Sequence, residues 1–186
     1  MVPTRSHALI LIDQYLKPGS LKKHVLATEA IMRALARRLG HNEDLWGIAG
    51  LLHDLDYEET KDKPQRHGLV TENILKEKGT EESIIQAIKA HNAESLNIER
   101  KTEMDYALTC AETITGLIVA TTLVYPDKKI ASVKPKSIRK RMKEKAFAQG
   151  VNRDLIRLCE KIGIPLDEFI DISLRAMQGI ASDLEL

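Results

Sequence analysis

The sequence predicts an all-α protein, a bundle of about eight or nine helices, and three observations carry that prediction. Leu, Ile, Ala, Glu, Lys and Arg dominate the composition, and these are helix formers. Apolar residues recur at three- and four-residue spacings, the period of a helix with one buried face, while the alternation of a strand does not occur. Capping and stop signals punctuate the chain between these patterned stretches. Aromatic residues make up only 4% of the chain, so aliphatic side chains must fill the core.

Taken in order, "HALILIDQYL" is a short first helix ended by Pro18-Gly19. Ser20 is a suitable N-cap for "LKKHVLATEAIMRALARRL", and Gly40 is its natural stop. Asn42 caps the next helix, with Glu43 and Asp44 in a first turn whose dipole favours anions. "DYEETKDKPQ" is polar, carries a proline and breaks the period, so it reads as a loop. "RHGLVTENILKEK" runs as a helix to Gly79, and Thr80, Glu81 and Glu82 start "SIIQAIKAHNA". "TEMD" at Thr102 resembles a capping box opening a long helix from Glu103 to about Leu123. Pro126 and Pro135 bracket a connector, and a basic helix follows near Ser137. Asn152 opens "RDLIRLCEKIG", and Pro165 stands in the first turn of a last helix running towards Leu184.

At 186 residues the chain reads as a single domain, residues 1–186, with a C-terminal helical extension over 134–186. A chain of this length folds without a disulfide or structural metal. Its 43% apolar and 30% charged residues fit a soluble globular protein, and its formal net charge of +1 excludes a globally basic nucleic-acid binder. Cys110 and Cys159 stand in apolar patterns without CxxC spacing, which predicts buried, reduced thiols and a cytoplasmic location. The five-residue run "ALILI" is followed by no cleavage-site pattern, so no signal peptide is expected. The longest uncharged run, Thr113 to Pro126, has 14 residues, reads as a core helix and predicts no membrane span.

The stretch "WGIAGLLHDLDYE" sets a histidine and an aspartate where an apolar helix should continue. Other polar residues also interrupt buried stripes. His24 follows Leu21 and precedes Thr28, Ile31 and Leu35 on one face. His67 aligns with Val70 and Ile74, and His91 with Ile84 and Ile88. Glu112 interrupts Met104, Leu108, Thr115 and Val119. One such histidine is more often a core residue bonded to backbone than a ligand. Together with His53 and Asp54 they form a set of six, and a divalent cation resolves the burial of all of them at once. His7 and His41 lie in other contexts and read as surface residues.

His24, the "HD" of His53-Asp54 within "GLLHDLDYE", and an acid on a later helix resemble the HD-domain superfamily of metal-dependent phosphohydrolases. His67 in "RHG" and His91 in "AHN" are similar to its variant with a two-metal site. The resemblance covers roughly residues 20–123, the core of an HD-domain-like bundle. Its final ligand is normally aspartate, whereas "CAETITGL" here offers Glu112, one methylene longer. The resemblance implies that His24, His53, Asp54 and Glu112 hold one metal. Asp54 then bridges to a second held by His67 and His91, and His53 and Asp54 are the catalytic pair. The cofactor is one or two divalent transition metal ions (Fe, Mn, Co, Ni or Zn), among which the ligand set does not choose. The implied activity is hydrolysis of a nucleotide or another small phosphate ester by metal-activated water, with no Ser or Cys nucleophile.

Lys61, Lys63 and Arg66 lie between the HD motif and His67, which makes Lys61 and Arg66 candidate phosphate contacts; solvated loop charge is the plainer reading. Lys128 to Lys145 carries nine cations and one acid. It can cover the site and grip a nucleotide, bind RNA or an acidic partner, or simply form a solvated face; it has no aromatic for base stacking, so nucleic acid is not favoured. The alternative function is a non-catalytic, metal-stabilised HD module that binds a nucleotide or a partner protein, and the Glu112 departure is the feature in its favour.

Overall fold

The computed structural model describes residues 1–186, and every regular element in it is helical. In chain order these are α1 (Arg5–Tyr15), α2 (Ser20–Leu39), α3 (Glu43–Leu52), α4 (Tyr57–Thr60), α5 (Leu69–Glu77) and α6 (Glu82–His91). Then follow α7 (Ala93–Leu96), α8 (Glu103–Leu123), α9 (Pro135–Lys143), α10 (Arg153–Ile156), α11 (Leu166–Gln178) and α12 (Ala181–Leu184). Short 3-10 turns occupy Pro64–Arg66, Ile130–Ser132 and Arg157–Ile162. Eight of the α-helices have nine residues or more, in line with the expected bundle. The other four are single turns, too short for a hydrophobic period to reveal them.

Several helix ends follow directly from the local residues. The Asn42 side chain accepts from the Leu45 amide at 2.9 Å. Thr102 and Asp105 form a reciprocal capping box at the start of α8. Gly40 closes α2 in the left-handed conformation, with φ of 77°. Three of the predicted helix boundaries and loops need correction here. Ser20 is the first helical residue of α2, and Gly19 with φ of 138° holds the cap position without a side-chain bond. The predicted loop after Asp56 contains α4 and a 3-10 turn. The last helix stops at Gln178, Gly179 caps it, and the chain resumes as α12.

α2 and α8 form the middle of the bundle. α3, α8 and α11 pack on α2, and α6 and the 157–162 turn pack on α8. α2 and α3 approach very closely at Gly50, where an added Cβ would lie 3.0 Å from the Thr28 carbonyl oxygen and 3.1 Å from Glu29 Cα. One hydrophobic cluster runs from Ala8 to Leu184, so the elements after α8 share the core of those before it. The uncharged run expected in the core supplies the C-terminal half of α8, from Thr113 to Leu123. This 21-residue helix is long and apolar enough to cross a membrane by length and composition, but 67% of its most apolar window is buried within the protein. Cys110 and Cys159 are buried and unpaired.

Candidate metal centre

Residues from the faces of α2 and α8, the ends of α3 and α6 and the turn before α5 converge on one cavity of about 640 Å³. α2 supplies His24 from its inward face, and α6 supplies His91 as its last residue. α3 ends at Leu52, and His53 takes its C-cap position with helical angles, φ −62° and ψ −31°. The turn that follows lets His53 and Asp54 reach the same point from different sides, which a continuing helix would not allow. His67 does not lie on a helix as the sequence suggested. It occupies extended backbone after the Pro64–Arg66 turn, and Gly68, at φ of 88°, swings the chain into α5.

The Asp54 carboxylate is shared between two pairs of histidines. Its Oδ2 lies 3.5 Å from His24 Nε2 and 3.4 Å from His53 Nε2. Its Oδ1 lies 3.2 Å from His67 Nε2 and 3.7 Å from His91 Nε2. In each of the two resulting triads, the candidate ligand atoms lie within 4.8 Å of one another.

The opposite nitrogen of every ring is already committed. His53 Nδ1 donates to the Gly50 carbonyl at 2.8 Å, and His91 Nδ1 donates to the Ile88 carbonyl. His67 Nδ1 donates to Asp56 Oδ1 at 2.8 Å. His24 Nδ1 lies 2.9 Å from Thr115 Oγ, whose single proton goes to the Glu112 backbone carbonyl at 2.6 Å. Thr115 therefore accepts from His24 Nδ1–H. In the neutral rings all four Nε2 atoms present lone pairs to the cavity, which is the tautomer a metal requires.

Those lone pairs face each other. His24 Nε2 and His53 Nε2 are 3.1 Å apart, and His67 Nε2 and His91 Nε2 are 2.9 Å apart. Two acceptors cannot hydrogen-bond without a proton or cation between them. The donor set thus fits a bound divalent cation: neutral imidazole nitrogens, one buried carboxylate and outer partners that fix each ring.

Electrostatics agree for His24 and His91 and differ at His67. Burial holds His24 down to about 4 and His91 down to about 3, so both are neutral ligands at pH 7. Burial also opposes charge on His67, but the carboxylates of Asp54 and Asp56 outweigh it and raise the group to about 9. Asp54 is buried, which disfavours its charge, yet the surrounding histidines keep it below the usual carboxylate range. Glu112 is raised to about 8, by burial first and then by the negative field of Asp54.

The remaining candidates are placed differently. Glu112 lines the cavity but is outside both triads, and its Oε1 accepts from Thr113 Oγ at 2.6 Å. Neither Lys61 nor Arg66 lines the cavity; both are exposed, and Arg66 pairs with Glu59 at 3.1 Å. No residue of the basic Lys128–Lys145 segment lines it either, and Arg139 is spent on Asp167 and Asp171 of α11. His7 and His41 are exposed, as expected. Sequence reasoning missed Asp56. Its fully buried carboxylate holds His67 through Oδ1 and accepts the Gly68 and Thr71 amides through Oδ2, both at 2.9 Å. The available signal was a second aspartate within "HDLD", at a position where a core residue belongs.

The sequence model of a family described as "HD domain" matches residues 21–118, more than half of the chain. The matched segment begins just before His24 and ends just after Thr115, so it contains the whole centre. Comparison with curated proteins gives no match, and neither does comparison with solved structures.

Proposed function

Because the chain belongs to the HD-domain family, we propose that it is a metal-dependent phosphohydrolase that cleaves a nucleotide or another small phosphate ester. The observation that carries this reading is the divided Asp54 carboxylate, one oxygen toward His24 and His53 and the other toward His67 and His91. His24, His53 and Asp54 would hold one cation, and Asp54, His67 and His91 a second. When bound, such ions lower the pKa of a water nucleophile and carry the charge of the phosphate oxygens.

The protein's own part is to orient and to exclude. Gly50, Ile88, Asp56 and Thr115 lock the four rings, so each Nε2 already points into the cavity, and only His67 must give up a proton to present its lone pair. No lysine or arginine lines the cavity, which leaves phosphate charge to the cations. Cys159 is pushed up to about 12 by burial, and Cys110 is also raised by burial, so neither thiol is a ready nucleophile. A soluble, cytoplasmic setting accords with two buried free thiols.

Metal analysis of the purified protein, followed by a panel of nucleotides and simple phosphoesters with added Mn²⁺ or Fe²⁺, tests the reading. Bound metal with phosphate release is the expected result. Bound metal without turnover on any ester would instead favour the non-catalytic module, the reading that Glu112's place outside the triads supports.

A further inference from the structure

A second concavity, of about 540 Å³, adjoins the metal centre and shares Ser20 and His24 with it. The His24 ring is the common wall: its Nε2 faces the centre, and its Nδ1 side lies against Thr115, which lines the second concavity. The walls of this groove are aliphatic, formed by Ala27 of α2, Val119, Ala120 and Leu123 of α8, and Leu184 of α12. Of its polar side chains, Lys23, His24, Thr115 and Glu185 are already engaged. The Thr115 hydroxyl is bonded to His24 and the Glu112 carbonyl, and Lys23 is paired with Glu185 at 2.5 Å. Leu123 is half exposed at its mouth, so the groove opens to solvent. An apolar surface of this size, left open next to a reactive centre, is the usual form of a small-molecule subsite.

We propose that this groove receives the apolar part of the substrate, and that the preferred substrates are phosphate monoesters with a compact aliphatic or aryl leaving group. The inference rests on the phosphohydrolase reading for the position of the phosphate. The border that the two cavities share at Ser20 and His24 sets the ester oxygen beside it, with phosphate on the Asp54 side and the leaving group along Val119 and Ala120. No lysine or arginine is among the residues lining the cavity, and Arg100, behind His91, is already paired with Glu94, so a polyphosphate chain would find no free protein cation on its walls.

The test is a series of non-hydrolysable alkylphosphonates, from methyl to hexyl, bound to the metal-loaded protein and followed by calorimetry and by methyl NMR. Each buried methylene should tighten binding about threefold to fourfold. Resonances of Val119 and Leu184 should shift with the hexyl ligand. In Ala120→Phe, which fills the groove, the dependence on chain length should disappear; the wild-type series stands by itself if that variant does not fold. Affinity independent of chain length, with phosphate esters still turned over, would overturn the groove and leave the phosphohydrolase reading intact. Binding that depends on chain length and maps to Val119, with no ester hydrolysed, would support the groove and count against hydrolysis. Failure of every phosphonate to bind would overturn the groove, and the ester panel would then decide the phosphohydrolase reading separately.

Discussion

His24 Nε2 stands 3.1 Å from His53 Nε2, and with both rings neutral neither atom carries a proton. This follows from the other side of each ring, where Thr115 Oγ and the Gly50 carbonyl can only accept. The same opposition recurs between His67 and His91, with the difference that a proton on His67 can bridge that pair. A buried contact between two lone pairs is unfavourable unless a cation lies against both. The arrangement is therefore a set of ligands held ready.

Thr115 should matter although it touches no metal. Thr115→Val keeps the shape but removes the acceptor for His24 Nδ1–H. A buried donor left unpaired costs about 1–3 kcal/mol, and the ring is free to adopt the wrong tautomer. Isothermal titration with Mn²⁺ should show roughly tenfold weaker binding at the His24 triad. Unchanged affinity would mean that the ring is held by other contacts.

Asp56→Asn tests the outer support of the second triad. The amide would lower the negative field on His67 and set an N–H against either the His67 ring or the Gly68 and Thr71 amides. Metal affinity should fall about 10- to 100-fold, and the unfolding free energy by about 1–3 kcal/mol. Denaturant unfolding with and without metal separates the two effects.

Metal binding should depend on pH through His67. In the metal-free protein its pKa is raised to about 9, so at pH 7 the ring holds a proton that a cation must displace. Apparent affinity should rise about tenfold per pH unit from 7 towards 9 and then level off. For the metal-free fold, the stabilisation from this raised group is complete below its unfolded value of about 6.5 and is lost as pH rises through about 9. His24 and His91 act in the opposite sense: being lowered to about 4 and about 3, they destabilise the fold as pH drops below their unfolded value. Thermal unfolding of the apoprotein across pH 4–9 should show both limbs.

Gly50→Ala should loosen the centre from a distance. The new methyl would meet the Thr28 carbonyl at 3.0 Å, so α2 and α3 must part, and with them His24 and His53. Overpacking of this kind costs about 1–3 kcal/mol. Calorimetric melting should show the loss, together with weaker binding at the His24 triad.

Much of this centre was legible in the sequence, for identifiable reasons. His24 and His91 stood out because helical period placed them on buried faces, and His53-Asp54 because it ended an apolar helix. Asp56 was hidden because its partners, Gly68 and Thr71, lie beyond a loop that periodicity does not describe. Lys61 and Arg66 were candidates by nearness in sequence alone, but the Pro64–Arg66 turn leaves Arg66 outward, on Glu59. Glu112 was rightly placed on an inward stripe, yet no pattern reports that its carboxylate lies apart from both triads. The aliphatic groove needs α12 against α8, a long-range contact that no local signal encodes.

Anomalous diffraction from crystals grown with Mn²⁺ tests the central claim most directly. The account predicts one peak among His24, His53 and Asp54 and another among Asp54, His67 and His91, each bonded through Nε2 and a carboxylate oxygen. Crystals with full Mn²⁺ exposure and no peak at either place, the rings meeting only one another, would contradict it.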